Sequence, residues 1–268
     1  MLSRAEIKRN AKKAVLRSYG SVAAVSTAVA ACILVQSLIS YVLTKDSLYI
    51  WPAFLGIIPG ILLLPVYVGA AGFFLKIYRN ENGANIKNVF ETGFKENYGR
   101  NLLGMLLRAF KLFLWFFIGL VPFYFGLVLT LMSSFKGNPF SDGYVGGLGD
   151  TFVVFAASMV ISLLGSVPYI IKSISYSMTP YILAEDKEIS PSQAVKLSGA
   201  MTKGHKSEIF MMYLSFIGWM ILTAATLGIL GIFWTMPYMT ASLAGIYEKL
   251  KSGRVIPNIS EESQVLKS

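Results

Sequence analysis

The sequence has few of the residues that build disulfides, metal sites and charged surfaces. Among its 268 residues there is one cysteine, Cys32, and one histidine, His205. A lone cysteine forms no intrachain disulfide, and one cysteine with one histidine falls short of a zinc ligand set. Only 14% of the residues are charged, against about 25% in typical soluble proteins. We therefore expect lipid to cover much of the surface, and we expect no cofactor.

Motifs of the common enzyme classes are also missing from the sequence. It contains no Gly-x-x-x-x-Gly-Lys phosphate loop, no Gly-x-Ser-x-Gly elbow and no His-Glu-x-x-His helix. Asp150, Glu208 and Glu248 lie at the ends of apolar segments. Proton-coupled transporters usually keep a carboxylate or histidine at mid-membrane depth, and none is evident. We expect a protein that is not an enzyme.

Long uncharged runs predict an all-α, polytopic membrane bundle. A spanning helix needs about 20 apolar residues to cross about 30 Å of hydrocarbon. The runs that meet this length are 18–44, 47–75, 112–132, 151–184 (interrupted by Lys172) and 209–247. As one helix the last run would be about 58 Å long, so we predict a turn at Thr226-Leu227-Gly228. The sequence thus predicts six transmembrane helices.

The basic residues predict how the chain is oriented. Of the 24 lysines and arginines, 21 fall before the first span, after the last span or in the segments 76–111 and 187–206. Lys45 and Lys136 fall on the opposite side. Because basic residues concentrate on the cytoplasmic side, we predict a multi-pass cell-membrane protein with both termini in the cytoplasm. The formal charge of +10 then lies at the lipid surface, so we expect membrane lipids and not nucleic acid as partners.

Three short segments on the basic side show helical amphipathicity. They are residues 3–18, 88–98 and 190–203. Ser3 with Glu6, Asn88 with Glu91 and Ser190 with Gln193 have the spacing of capping boxes, in which each side chain satisfies a free backbone N–H. The positions that mark one face of each helix are Ile7, Ala11, Ala14 and Val15, then Phe90, Phe94 and Tyr98, then Ala194, Leu197, Ser198 and Met201. These helices could lie in the lipid interface or cap the bundle.

These segments suggest a degenerate threefold repeat of amphipathic helix, span, span. The units are 1–82, 83–187 and 188–251 within a single transmembrane domain, followed by a flexible tail, 252–268. The second span of each unit contains a proline closely followed by tyrosine: Pro65 and Tyr67, Pro180 and Tyr181, Pro237 and Tyr238. Basic amphipathic linkers are also common in unrelated membrane proteins, and that alternative stays open.

The segment from Tyr181 to Lys206 carries a family resemblance. Its residues Tyr-Ile-Leu-Ala-Glu-Asp at 181–186, Ile189-Ser190 and Lys203-Gly204-His205-Lys206, with Ser215 to Trp219 and Pro237-Tyr238, resemble the bacterial domain of unknown function 975 family. The resemblance covers most of the chain. It implies an integral membrane protein, mainly of Gram-positive bacteria, and supplies no catalytic residues. A more distant similarity is to the membrane domain found beside some glycerophosphodiester phosphodiesterases.

Lys172 is the one basic residue inside a predicted span, which makes it a candidate functional residue. It could bind an anionic group within the bundle, or its side chain could extend to the cytoplasmic headgroups. A serine stripe accompanies it: Ser158, Ser162, Ser166, Ser173 and Ser177, with Tyr169 on the same side. Small polar residues at this spacing pack helices closely, and the alternative is the wall of a polar cavity.

We therefore hypothesise a ligand site at Lys172, Ser162, Ser166, Tyr169 and Ser173 for an amphiphilic or anionic molecule such as a lipid. The competing hypothesis is a membrane scaffold, an accessory subunit or an immunity protein whose partner is another membrane protein. We also expect prolines to kink the spans, namely Pro59, Pro65, Pro122, Pro168 and Pro237.

Overall fold

The computed structural model describes residues 3–45, 51–81, 83–95, 97–135 and 148–253. These ranges are almost entirely α-helical and contain no strand. The helices are α1 (Arg4–Arg17), α2 (Tyr19–Thr44), α3 (Trp51–Leu62), α4 (Leu64–Arg79), α5 (Ile86–Phe90), α6 (Tyr98–Phe135), α7 (Leu148–Gly165), α8 (Val167–Ser175), α9 (Thr179–Glu185), α10 (Pro191–Met201), α11 (Lys206–Leu214), α12 (Ile217–Ala225) and α13 (Met236–Ser252). π-Helical turns at Glu91–Lys95 and Gly231–Thr235 follow α5 and precede α13. The predicted tail lies outside the described residues from position 254 onward.

Five helical stretches are long and apolar enough to cross a membrane, which confirms the helical multi-pass architecture. They are Tyr19–Val42, Ile57–Arg79, Tyr98–Leu129, Phe152–Glu185 and Lys206–Ala225. The sixth predicted span is not among them. The helix that follows the last turn, α13, has 17 residues and ends in the charged residues Glu248, Lys249 and Lys251.

The predicted turn between residues 226 and 228 is present. Helix α12 ends at Ala225, and Leu227 and Gly228 adopt positive φ angles of 51° and 89°. Side chains then meet in antiparallel order across the turn: Thr223 with Thr235 (Oγ1 to Oγ1, 2.8 Å), Trp219 with Trp234 (ring centroids 6.0 Å apart) and Phe216 with Tyr238 (5.0 Å). Residues 209 to 247 are therefore a helical hairpin, which excludes a single 39-residue helix.

Several of the long helices are interrupted just before a proline, where the missing N–H cannot continue the hydrogen-bond ladder. Breaks fall at Leu63 before Pro65, at Ser166 before Pro168 and at 176–178 before Pro180, and the second π turn precedes Pro237. Helices α3 and α6, in contrast, continue through Pro59 and Pro122. Pro65, Pro168 and Pro237 thus lie where a helix is interrupted, whereas Pro59 and Pro122 do not.

Helix α1 packs on α13 with the face predicted for it. Ile7, Ala11, Ala14 and Val15 are at most 3% exposed. The predicted capping box, however, is wrong: Ser3 occupies the N-cap but makes no side-chain cap bond. Glu6 instead accepts a hydrogen bond from Lys249 of α13, 2.9 Å away. A tertiary ion pair has replaced the local cap.

The second short helix begins three residues earlier than predicted, and its predicted aromatic face is present. Helix α5 begins at Ile86 with Asn85 as its cap, and the Asn85 N–H donates to Asn88 Oδ1 at 3.1 Å. Val89 and Gly93 are buried against α4, whereas Phe90 is 38% exposed. Phe90, Phe94 and Tyr98 lie on the outer side. The inner side has no room for large side chains because the backbone there lies close to the backbone of α4.

Helix α10 matches its prediction and packs on α9. The Gln193 N–H donates to Ser190 Oγ at 3.4 Å, and the Ser190 N–H donates to Gln193 Oε1 at 3.2 Å. Buried Ser198 satisfies two backbone groups at the break before α9. Its hydroxyl donates to the Ser175 carbonyl at 2.8 Å and accepts from the Met178 N–H at 3.2 Å.

The chain divides into two compact units. The first contains residues 1–107 and 175–268, and the second contains residues 108–174. In the first unit, α1 packs on α13, α5 with its π turn packs on α4, and α10 packs on α9. Most of the fully buried large side chains lie at these helix contacts, among them Phe73, Met178, Leu183, Met201 and Ile246.

Candidate functional site

Helices α6 and α7 of the second unit run antiparallel and approach closely at small residues. A Cβ atom added to Gly119 would lie 3.1 Å from the Gly165 carbonyl oxygen. One added to Gly126 would lie 2.1 Å from the Ser158 Cβ. Ser158 is buried, and its hydroxyl donates to the Phe155 carbonyl at 2.7 Å. For Ser158, therefore, the packing interpretation of the serine stripe is the right one.

Beside this contact the same helices leave a groove of about 510 Å³. Three of the five predicted site residues line it: Ser162, Ser166 and Tyr169. The other lining residues are apolar: Phe116, Gly119, Leu120, Phe123, Met159, Val160 and Leu163. The serine stripe thus contains both a packing position and the wall of a cavity, and the cavity is largely hydrophobic.

The groove wall includes a hydroxyl that has no hydrogen-bond partner among the described residues. This is Ser162 Oγ, which is also shielded from solvent. The neighbouring Ser166 hydroxyl donates to the Leu163 carbonyl at 2.7 Å and is satisfied within its own helix. The Tyr169 ring meets Phe116 edge to face, with centroids 5.7 Å apart, and this pair forms one end of the groove.

Lys172 lies just beyond that end. It follows Tyr169 by about one turn of α8, on the same side of the helix. Its ammonium nitrogen is 5.0 Å from the centroid of the Trp115 ring, a cation–π distance. Trp115 directly precedes Phe116, so the cation and the aromatic end of the groove are neighbours. Ser173, the remaining predicted residue, is half-buried and does not line the groove.

Sequence reasoning missed the α6 side of this groove, although a signal was available. Gly119 and Gly126 are seven residues apart, and so are Ser158 and Gly165. Seven residues make about two helical turns, which places each pair on one face of its helix. Two helices with small residues in matching register are expected to pack along those faces.

The first unit contains a charged cluster that the sequence analysis also missed. The Arg79 cluster consists of Arg79 at the end of α4, Glu185 at the end of α9, and Tyr247, Glu248 and Lys251 on α13. Arg79 Nε donates to Glu248 at 2.8 Å, and its Nη2 bonds both Glu185 and Glu248. Glu185 Oε2 also accepts from the Tyr247 hydroxyl at 2.6 Å and pairs with Lys251 at 2.9 Å. Arg79 thus joins the C-terminal ends of α4, α9 and α13.

A second ion pair on the same side is more exposed. The hydrogen bond from Lys249 to Glu6 holds the pKa of the Glu6 carboxyl below its usual value. His205 Nδ1 lies 3.1 Å from a carboxylate oxygen of Glu208. Among the residues described, no group of three or more His, Cys, Asp or Glu side chains is arranged to hold a metal ion. The Lys249–Glu6 pair joins α13 to α1, whereas the His205–Glu208 contact lies within the start of α11.

Comparison with known proteins agrees with the resemblance noted in the sequence. No curated protein and no solved structure is significantly similar to this chain. The family described as protein of unknown function, DUF975, matches residues 1–254, which is nearly the whole chain. Together with five apolar helices long enough to cross a membrane, this match shows that the chain belongs to the DUF975 family of proteins of unknown function.

Proposed function

We propose that this chain is a non-enzymatic integral membrane protein that binds an anionic lipid in the groove of its second unit. The observation that carries the proposal is an apolar groove with a cation at one end. A volume of about 510 Å³ falls within the range of about 300–1,000 Å³ typical of ligand pockets. The lining is aromatic and aliphatic apart from Ser162, Ser166 and the Tyr169 hydroxyl, which suits a hydrocarbon chain.

The length of the groove fits one acyl chain. Its lining on α7 and α8 extends from Met159 to Tyr169, a rise of about 15 Å at 1.5 Å per residue. A chain entering past Tyr169 would have its polar end beside Lys172.

Lys172 supplies the charge selectivity in this proposal. An ammonium group has three donors, and the ring of Trp115 occupies only one side of it. A lysine near a membrane surface contributes about 1 kcal/mol to binding anionic lipid, which corresponds to roughly a fivefold preference over a zwitterionic lipid. The expected selectivity is therefore modest and depends on one residue.

The remaining parts of the architecture are proposals of the same kind. We place the protein in a cell membrane with both termini in the cytoplasm, and we count the arm after residue 228 as a sixth span. The threefold repeat is supported by the packing of the short helices: α5 packs on α4, α10 on α9 and α1 on α13. Each short helix therefore packs on the last helix of the preceding repeat, and α1 of the first repeat packs on the last helix of the third.

Native mass spectrometry of the delipidated full-length protein tests the proposal. The probes are phosphatidylglycerol and phosphatidylcholine with identical acyl chains. We expect the protein to retain about five times more phosphatidylglycerol, as the single-lysine estimate implies. Lys172→Gln should abolish this preference, whereas Lys196→Gln, an exposed lysine on α10, should preserve it.

Two outcomes would count against the proposal. Lys172→Gln could keep the full preference for phosphatidylglycerol, which would place the anionic site elsewhere. Alternatively, the protein could bind neither lipid and purify with a stoichiometric membrane protein. That result would support the scaffold or accessory-subunit function instead.

A further inference from the structure

The outer side of α5 and its π turn carries three stacked aromatic rings. We call Phe90, Phe94 and Tyr98 the aromatic ladder. The rings of Phe90 and Phe94 have centroids 6.2 Å apart with planes inclined by 20°, and those of Phe94 and Tyr98 are 5.6 Å apart at 16°. This stacking places all three rings on one side of α5, its π turn and the first residue of α6. They form a continuous apolar strip, of which Phe90 is 38% exposed.

The orientation of the ladder is fixed by the opposite side of the segment. A Cβ atom added to Gly69 of α4 would lie 1.9 Å from the Val89 carbonyl oxygen, and one added to Gly93 would lie 2.9 Å from that of Pro65. Asn101 Nδ2 also donates to the Thr92 carbonyl at 2.8 Å. Because the two backbones are in direct contact, the segment cannot rotate about its own axis. The aromatic rings therefore stay on the side that faces away from α4.

The Tyr98 end of the aromatic ladder lies beside the part of a candidate span whose apolar side chains are exposed. The Tyr98 hydroxyl donates to the Leu62 carbonyl at 3.1 Å. Ile57, Ile58 and Leu62 lie in or beside the stretch Ile57–Arg79 and are about half exposed. An aromatic strip that ends at this level is placed where tyrosine and other aromatic rings meet lipid headgroups.

Basic side chains flank the ladder on its exposed side. Lys87 is exposed, and the Lys95 side chain is 77% exposed, with only a long contact of 3.9 Å to Glu91. Lysines beside an apolar strip are typical of segments that lie in the plane of a membrane interface, where anionic headgroups attract them. The same side therefore offers both kinds of contact that a lipid surface accepts.

We propose that the aromatic ladder is a membrane anchor, embedded at the boundary between headgroups and acyl chains of the cytoplasmic leaflet. Its partner is the bilayer surface itself and not a single bound lipid. It lies in the first unit, whereas the groove lies in the second, so either can fail without the other. In this arrangement α5 is fixed to α4 on one side and to lipid on the other.

Spin-label depth measurements test this anchor, and the single cysteine of the chain makes them practicable. Phe94→Cys and Lys95→Cys are each labelled with a nitroxide in a Cys32→Ser background and reconstituted into vesicles of phosphatidylglycerol and phosphatidylcholine. Frequent collision of the label with dissolved oxygen indicates that the label lies in lipid. Frequent collision with a neutral nickel chelate indicates that it lies in water. We expect the label at 94 to favour oxygen and the label at 95 to favour nickel.

Equal access of the nickel chelate to both labels would overturn the proposal, because the ladder would then face water. A second pair, Phe90→Cys and Lys87→Cys, makes the same comparison one turn away and serves if the first pair folds poorly. Val89→Cys on the packed side should be shielded from both reagents. A label at 89 as accessible as that at 94 would likewise contradict the fixed orientation.

Discussion

Replacing Arg79 by methionine is expected to destabilise the first unit more than the loss of any exposed ion pair. Arg79 bonds Glu185 and Glu248, which come from two other helices. Methionine retains most of the apolar stem but leaves two carboxylates facing each other without their shared cation. The perturbation therefore removes charge-assisted hydrogen bonds and introduces repulsion at the same point.

The size of the effect follows from burial. The side chains of Arg79, Glu185 and Glu248 are 27%, 22% and 28% exposed, which lies between a surface pair and a buried one. Surface pairs contribute about 0–1 kcal/mol and breaking a buried pair costs about 3–5 kcal/mol. We expect a loss of about 2–3 kcal/mol, which for a chain of this size lowers the unfolding midpoint by roughly 4–12 °C.

Thermal unfolding of the purified protein in detergent measures this effect. Lys249→Met is the matched control, since Lys249 lies on α13 beside Glu248 but pairs with Glu6 in an exposed position. The control should leave the midpoint nearly unchanged, and adding Glu248→Gln to Arg79→Met should restore part of the loss by removing one carboxylate. If Arg79→Met shifts the midpoint no more than Lys249→Met, the cluster does not join the helices energetically.

Three further predictions concern the first unit, each measured as a change in the unfolding midpoint. Gly69→Ala should destabilise by about 3 kcal/mol, because its new Cβ would collide with a backbone carbonyl, whereas Gly199→Ala, with open space around it, should be neutral or stabilising. Ser198→Ala should cost about 1–3 kcal/mol, since the Met178 N–H loses its partner and the Ser175 carbonyl keeps the longer bond from Thr202. Because the pKa of Glu6 is lowered in the fold, its stabilising contribution holds at neutral pH and is lost as the pH falls through that lowered value; wild type should therefore lose more stability than Glu6→Gln below about pH 4.5.

Hydrophobic run lengths and glycine placement were sufficient to predict the helical architecture. The hairpin at 226–228 followed from the length of one uncharged run, because a 39-residue helix would greatly exceed the membrane thickness. The packed face of α1 followed from helical periodicity alone, and the structure buries Ile7, Ala11 and Val15 completely. Both predictions depend on residue patterns that are local in the sequence and on the surrounding solvent, so the sequence alone is sufficient to make them.

The face of α5 could not be predicted in the same way. Aromatic periodicity placed Phe90 and Phe94 on one face, but the sequence left open whether that face meets lipid or the bundle. The packed side was decided instead by the fit of Gly93 and Val89 against Pro65 and Gly69. Such a fit depends on two distant segments together, and in a membrane a large apolar side chain gains as much from facing lipid as from facing protein.

The candidate site was predictable only in part. Ser162, Ser166 and Tyr169 lie along one side of one helix, so their spacing revealed them. Phe116, Leu120 and Trp115 come from another helix, and the sequence does not state which helices are neighbours. The Arg79 cluster escaped for the same reason, since its members are separated by 106 and 169 positions along the chain.

Photocrosslinking from inside the groove tests the central proposal most directly. A benzophenone amino acid at Leu120, which lines the groove, is irradiated in detergent with one equivalent of phosphatidylglycerol, and the same residue at exposed Leu129 serves as the comparison. We expect a lipid adduct on the peptide containing position 120, little adduct at 129, and loss of the first in Lys172→Gln. Equal adducts at both positions, or an adduct at 120 that Lys172→Gln leaves unchanged, would contradict a lipid site in this groove.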